Sequence, residues 1–375
     1  MKRRLNRKQR FAVIGAGHGG QAMAAYLSMR GYPVNLYSRS AARLEPIRAN
    51  GFIRLQGAYT GLGRPRVVTT DLDEALDGAD VVMVAVPANA HRTLAVQAAP
   101  HLRPHQIVVL NPGRTGGALE FRATLTGMGY GESVRVAEAQ TFIYASRTVG
   151  PGVSRVFSVK RSVPVAALPA IHTADVLRKL RPAFPQFVPA VNVLKTSLDN
   201  MGAILHPGLT ILNTGRIEAT AGDFEYYREG ATPSVVRVLE AMDRERLAVA
   251  RALGITAISA SDWLRAAYGV PAGCLYSALQ ANDAYRGIKA PPDMDNRYIW
   301  EDVPTSLVPM ASLGDMLNVP CPTIKSMVDL ACALHGRDYW AEGRTVETLG
   351  LAGLDREAIA RLVNAGAEEV AACGS

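Results

Sequence analysis

Apolar and polar residues alternate along the first 170 residues in two rhythms. FAVIGAG is a short β-branched run ending in glycines. QAMAAYLSMRG then carries Met23, Leu27 and Met29 at helical spacing among alanines, closed by Gly31, and PVNLYSR reads as a second strand. Strand, turn, helix and strand within about thirty residues make a βαβ unit. RVVTT, VVMVAVP, QIVVLNPG and VRVAEAQT continue as strands, with DLDEALDGAD and the helical AHRTLAVQAAPHL between them. Near-continuous apolar strands are the kind buried on both faces of a parallel sheet. The alternation predicts a doubly wound α/β domain.

Beyond residue 150 the rhythm changes. PGVSRVFSVKRSVPVAAL reads as a β-hairpin, followed by one helical segment. From about residue 196 the pattern is helical, with VVRVLEAMDRERLAVARALG clearly amphipathic and PTIKSMVDLACALHG bracketed by Pro and Gly. The expected fold class is therefore α/β plus all-α. A Rossmann-type dinucleotide domain spans residues 1–192 and a helical substrate domain spans 193–375.

Composition narrows the function. With 48% hydrophobic and 20% charged residues the chain has ordinary globular balance. No run approaches the roughly 18 apolar residues of a membrane span, and the start lacks a signal-peptide pattern. Cys274, Cys321, Cys332 and Cys373 form no CxxC pair. They read as reduced thiols of a cytoplasmic protein. Six cations of the +8 net charge sit in the opening arm, at Lys2, Arg3, Arg4, Arg7, Lys8 and Arg10. No nucleic-acid module follows, so the arm reads as a solvated start; no nucleic-acid or membrane partner is expected.

The turn after the first strand, Gly15-Ala16-Gly17-His18-Gly19-Gly20, fits GxGxxG. The first glycine allows the tight turn, the second admits a pyrophosphate and the third lets helix and strand pack. Free N–H groups at the helix start then face the phosphates. Flanked by its strands and helix, the motif points to a dinucleotide site. The second strand ends Leu36-Tyr37-Ser38-Arg39-Ser40, without the acid that holds an NAD ribose. Ser38, Arg39 and Ser40 suit a 2′-phosphate, so NADP(H) is favoured and NAD(H) is possible. Val86-Pro87-Ala88-Asn89 and the turn from Leu110 to Gly117 lie at carboxyl ends of strands, where either could line the nicotinamide half or be an ordinary turn.

The stretches GAGHGGQAMAAYL, LNPGRTGGALEF, AEAQTFIYASR, DNMGAILHPGLTILNTGRIE and NRYIWEDVPTSLVP, in this order, resemble the octopine/nopaline (opine) dehydrogenases. These enzymes condense a 2-oxo acid reductively with the amino group of an amino acid, using NAD(H) or NADP(H). The resemblance implies that His206 and Asp302 pair at the active site, that Arg297 binds substrate carboxylate, and that Thr141 and Ser146 line the oxo-acid pocket. Some members carry cysteine in place of Ser146. Pro207 removes a backbone N–H and disfavours helical geometry at the residue before it, so His206 is expected at a break or kink. Asn200, roughly 120° away on an ideal helix, is a further substrate-binding candidate. The expected partners are a small-molecule 2-oxo acid, an amino acid and a second copy of the chain. Two other readings stand beside this one. A ketopantoate-reductase-like or 3-hydroxyacid dehydrogenase would use Lys195 and Asn200, and a non-catalytic NADP-binding sensor would need no proton relay.

Overall fold

The computed structural model describes residues 8–131 and 134–366. Lys2, Arg3, Arg4, Arg7 and Cys373 lie outside them. The chain forms two compact units. Among the described residues, one comprises those up to Gly113, those of Gly117–Thr196 and those from Arg361; the other comprises Arg114–Gly116 and Ser197–Ala360.

Twelve strands belong to the first unit: β1 (Phe11–Ile14), β2 (Val34–Tyr37), β3 (Ile53–Gly57), β4 (Gly61–Gly63), β5 (Val67–Thr69), β6 (Val81–Val84), β7 (Ile107–Leu110), β8 (Arg135–Ala139), β9 (Tyr144–Gly150), β10 (Val153–Val159), β11 (Val163–Leu168) and β12 (Phe187–Pro189). Eight form the main sheet, in the order β12-β11-β8-β7-β6-β1-β2-β5. It is parallel except where β11 runs against β8. Every residue of β1, β2, β6 and β7 is buried, as the apolar runs of β1, β6 and β7 predict; in β2 the buried Asn35 donates to the Ala75 carbonyl. Helices α1 (His18–Met29), α2 (Ala41–Asn50), α3 (Leu72–Leu76), α4 (His91–Ala98), α5 (Gly117–Gly127) and α6 (Thr173–Leu180) complete this Rossmann-like layer. The chain leaves β1 toward β2 on one side and returns to β6 on the other. The glycine turn thus lies at the switch point, outside the carboxyl end of β1, where such sheets bind ligands.

Two strand assignments differ from expectation. The stretch 151–168 is not a hairpin: β10 pairs with β9 and β3, whereas β11 joins the main sheet beside β8. Period-two patterning identifies strands but not their partners, and Lys160–Ser162 carries the chain from one sheet to the other. The second sheet, β4-β3-β10-β9, was not foreseen. It packs against α1, where a Cβ on Gly63 would stand 2.3 Å from the Ala25 Cα.

The second unit is helical, in agreement with the sequence. After α7 (Val193–Leu198) it contains α8 (Gly202–Leu212), α9 (Thr214–Thr220), α10 (Pro233–Ala252), α11 (Ala260–Tyr268), α12 (Leu275–Ala281), α13 (Arg297–Trp300), α14 (Val308–Met316), α15 (Pro322–His335) and α16 (Tyr339–Glu342), and α17 (Arg356–Asn364) follows. The boundary falls inside α7, four residues beyond the expected position, and residues from Arg361 return to the first unit. Among the described residues no helix is long and apolar enough to cross a membrane.

Candidate functional site

In the first unit the glycine turn has the shape its motif requires. A Cβ on Gly15, whose φ is +114°, would meet the Ala85 carbonyl oxygen at 2.7 Å and Val86 Cγ1 at 3.0 Å. The turn after β6, with Val86 and the exposed Pro87, therefore borders the glycine turn. Gly20 presses on the Gly15 carbonyl, and Gly19 lies under the Phe142 ring, 2.5 Å from a Cβ position. Gly17 differs: its Cβ would find only an Arg43 guanidinium nitrogen, at 3.8 Å. That open space adjoins the start of α1, which has no acidic residue in its first turn and no side-chain cap. A helix start with no acid beside its dipole and room for a bulky anion fit a dinucleotide pyrophosphate.

His18 is tied down. The Thr148 N–H donates to its Nδ1 at 2.9 Å, and the Ser146 hydroxyl donates to its carbonyl at 3.2 Å. An Nδ1 that accepts leaves the ring proton on Nε2. Ser146, expected in the oxo-acid pocket, here braces the glycine turn. Thr141 Oγ1 accepts from Lys160 Nζ at 3.1 Å, and the same ammonium donates to the Phe142 carbonyl at 2.8 Å; Lys160 carried no sequence signal.

At the end of β2, Ser38 is buried and its hydroxyl accepts from the Ser40 N–H. Arg39 and Ser40 are exposed. Arg39 lines an open depression with Tyr37, Thr70, Asp71, Leu72, Gln97 and His101. Asp71, from the loop after β5, brings an acid that the β2 end lacks, with Oδ1 already accepting from the Asp73 N–H. Arg43 adds a second cation one turn into α2, and reading only the strand end missed it.

In the second unit, His206 Nδ1 lies 2.9 Å from Asp302 Oδ2. Asp302 is fully buried, and burial alone would raise its pKa. The Arg114 guanidinium, then His206, outweigh burial and hold the carboxyl below its ordinary value. Its other oxygen, Oδ1, is 3.0 Å from Arg114 Nη1. Arg114 Nε reaches Glu301 Oε1 at 3.4 Å, and Glu301 Oε2 holds Arg297 at 2.7 Å. An alternating string results: imidazole, carboxylate, guanidinium, carboxylate, guanidinium. Burial would lower the Arg114 pKa, but the two carboxylates raise it above its ordinary value. Arg297, 54% exposed, opens to solvent at one end of the string, and His206 is partly exposed at the other. Asp302 also opens a π-turn, Val303–Leu307, that leads into α14.

The helix carrying His206 is not broken. α8 runs through Pro207, contrary to the expected disruption. The His206 carbonyl accepts from Thr210 Oγ1 at 2.8 Å and from the Tyr226 hydroxyl at 2.7 Å. These bonds fix the His206 carbonyl, while the carbonyl that Pro207 leaves without its helix donor is that of Ala203, one turn earlier. The imidazole stacks on Tyr298, centroids 4.2 Å apart, and Tyr298 stacks on Tyr226. Gly202 leaves the space beneath: a Cβ there would stand 2.8 Å from Arg114 Nη1 and 3.1–3.2 Å from His206 ring atoms. Asn200 precedes α8, so the ideal-helix angle between it and His206 does not apply. It is buried and donates to Ser306 Oγ at 3.3 Å. Lys195 lies on α7, in the first unit.

The fold has counterparts among known proteins. The NAD/NADP octopine/nopaline dehydrogenase alpha-helical domain model matches residues 189–335, and the NAD-dependent glycerol-3-phosphate dehydrogenase N-terminus model matches residues 10–113. An opine dehydrogenase of Arthrobacter sp. (strain 1C) is 40% identical over 345 residues, covering 92% of this chain and 96% of that protein. The fold is shared with octopine dehydrogenase in complex with NADH and L-arginine, at TM-score 0.80 and 21% identity over 94% of this chain and 98% of the other. NADP+-bound yersinopine dehydrogenase matches at TM-score 0.73 and 17% identity, over 95% and 98%. The glycine turn beneath α1, the helical second unit and these relatives agree: the chain belongs to the opine dehydrogenase family, NAD(P)-dependent oxidoreductases that act on CH–NH bonds.

Proposed function

We propose that the protein condenses a 2-oxo acid with the amino group of an amino acid through an imine, with NADP(H) preferred to NAD(H). The first unit serves as the dinucleotide domain and the second as the catalytic domain. The observation that carries the reading is the His206–Asp302 pair at 2.9 Å. An ionised Asp302 only accepts, so His206 Nδ1 donates to it and Nε2 is left to exchange protons with substrate. The buried carboxylate fixes that tautomer and stabilises the imidazolium when it forms.

Nε2 takes a proton from the incoming ammonium so that the amine lone pair can attack the carbonyl carbon. The same nitrogen returns the proton to the departing hydroxyl, which leaves as water. When bound, the reduced nicotinamide supplies the hydride that reduces the imine carbon. Arg297 presents its fork to the oxo-acid carboxylate, oriented by Glu301. Arg39 and Arg43 supply the cations for a 2′-phosphate. NAD- and NADP-bound relatives both occur, octopine dehydrogenase with NADH and yersinopine dehydrogenase with NADP+; the absence of an acid at the end of β2 supports NADP(H) here.

The test is a matrix of amino acids against 2-oxo acids, followed by NADPH absorbance. Oxidation that requires both partners is expected. Oxidation by an oxo acid alone would replace this reading with simple carbonyl reduction, and cofactor binding without turnover would make the protein a sensor.

A further inference from the structure

Arg114 has no part in the chemistry above, yet it holds the buried centre of the charge string. It comes four residues after β7, in a turn that the sequence marks only as a possible cofactor contact. Its backbone sits in the left-handed region, at φ +60°, and its side chain is only 8% exposed. Nη1 meets Asp302 Oδ1 at 3.0 Å while Nε meets Glu301 Oε1 at 3.4 Å.

A carboxylate held through one oxygen can turn about its Cβ–Cγ bond. Asp302 is held through both, Oδ2 by His206 and Oδ1 by Arg114. Two neighbouring buried carboxylates also repel each other, and one would take up a proton without a cation between them. Arg297 does not replace Arg114, because its ion pair is with Glu301. We propose that Arg114 is a positioning residue for the reaction: its guanidinium fixes the orientation and the charge of Asp302, and through Asp302 the ring of His206. This rests on the reading of His206 and Asp302 as the proton relay.

The groups around Asp302 are His206 from α8, Arg297, Tyr298 and Glu301 from α13 and its end, Tyr226 before α10, and Arg114. Arg114 Nη1 and His206 Nδ1 lie within 3.2 Å of one point, the missing Cβ of Gly202. At that range, removing the guanidinium charge leaves the Asp302 carboxylate to attract the relay's proton more strongly.

The experiment compares full-length Arg114→Met, Arg114→Lys and His206→Ala proteins by pH profiles of kcat, NADPH KM and melting temperature. Arg114→Met is expected to lose at least tenfold in kcat, to leave the NADPH KM within twofold, and to move the relay limb of the profile to higher pH. Arg114→Lys keeps the charge but not the fork, so the limb should return to its wild-type position while kcat stays low. Wild-type kcat and an unmoved limb in Arg114→Met overturn the proposal. So does a low kcat with the limb unmoved, which marks a purely structural role. If Arg114→Met does not fold, Arg114→Gln, which also removes the charge, takes its place: a lowered kcat with the limb moved to higher pH supports the proposal, and wild-type kcat or an unmoved limb overturns it. An active His206→Ala overturns the relay itself; an inactive one beside a normal Arg114→Met overturns only the role of Arg114.

Discussion

Gly202→Ala adds one methyl group and alters no ionisable residue. The backbone at Gly202 is not left-handed, so the glycine is there for space. The new Cβ would lie 2.8 Å from Arg114 Nη1, and ordinary contact begins at 3.4 Å. The guanidinium must therefore retreat by about 0.6 Å, which disturbs its 3.0 Å ion pair with Asp302. The His206 ring, at 3.1–3.2 Å, must yield by a few tenths of an ångström. Displacements of this size in a catalytic pair cost roughly ten- to a hundredfold in kcat. Overpacking costs about 1–3 kcal/mol, whereas alanine at a helix start returns up to about 1 kcal/mol over glycine. The net loss of stability is at most about 3 kcal/mol. Steady-state NADPH oxidation would measure kcat, urea denaturation the stability, and NADPH fluorescence the cofactor affinity. Full kcat in a folded Gly202→Ala protein would refute the claim that the pair is packed to this tolerance.

Four further outcomes follow from the same geometry. Arg39→Asp should cost roughly ten- to a hundredfold in kcat/KM for NADPH and favour NADH; equal use of both cofactors by the wild type would remove the basis for the preference. Arg297→Ala should raise KM for the oxo acid far more than for NADPH, and two unchanged KM values would leave it only its ion pair with Glu301. His206→Ala should lose roughly 10²–10⁴ in activity, and adding Asp302→Asn should cost little more, because the two act as a unit; additive losses in the double mutant would separate them. Asp302→Asn breaks a buried ion pair, at a cost of about 3–5 kcal/mol. The folded-state pKa of Asp302 lies below the ordinary 3.8, so its stabilisation is complete above that value and is lost only as pH falls through the folded one. In a His206→Ala background, where only the carboxylate is compared, the stability gap between Asp302 and Asp302→Asn should stay constant from pH 8 to 5 in urea titrations; shrinkage in that range would contradict the assignment.

Local signals carried much of this arrangement. The GxGxxG turn was legible because its strands and helix are contiguous with it, and the buried strands β1, β6 and β7 because their runs are unbroken. His206 and Asp302 were legible through their motifs, although only folding brings α8 and the end of α13 together. Arg114 was not: its turn reads as a cofactor-side loop, and nothing local announces that its guanidinium ends on residues of EDVP. β9 and the second sheet escaped for a related reason. YASRTVG alternates between more and less buried positions, but a strand pattern does not name its partner, and half of that sheet lies a hundred residues earlier. The continuity of α8 through Pro207 was not legible because proline's cost is local, whereas the Tyr226 hydroxyl that bonds the His206 carbonyl comes from a separate loop.

The π-turn at Val303–Leu307 has an implication for chain length. Such a turn holds one more residue than α geometry would. Each residue of an α-helix advances it by about 100° and 1.5 Å. Losing one residue there would close the turn and swing Arg297–Asp302 around the axis relative to α14, carrying the carboxylate away from α8. The aim of Asp302 is therefore stored in the residue count of a short stretch as much as in its own identity. A single-codon deletion there would disarm the site with every named side chain still present, and matching insertions or deletions are a route by which such a helix could be re-aimed.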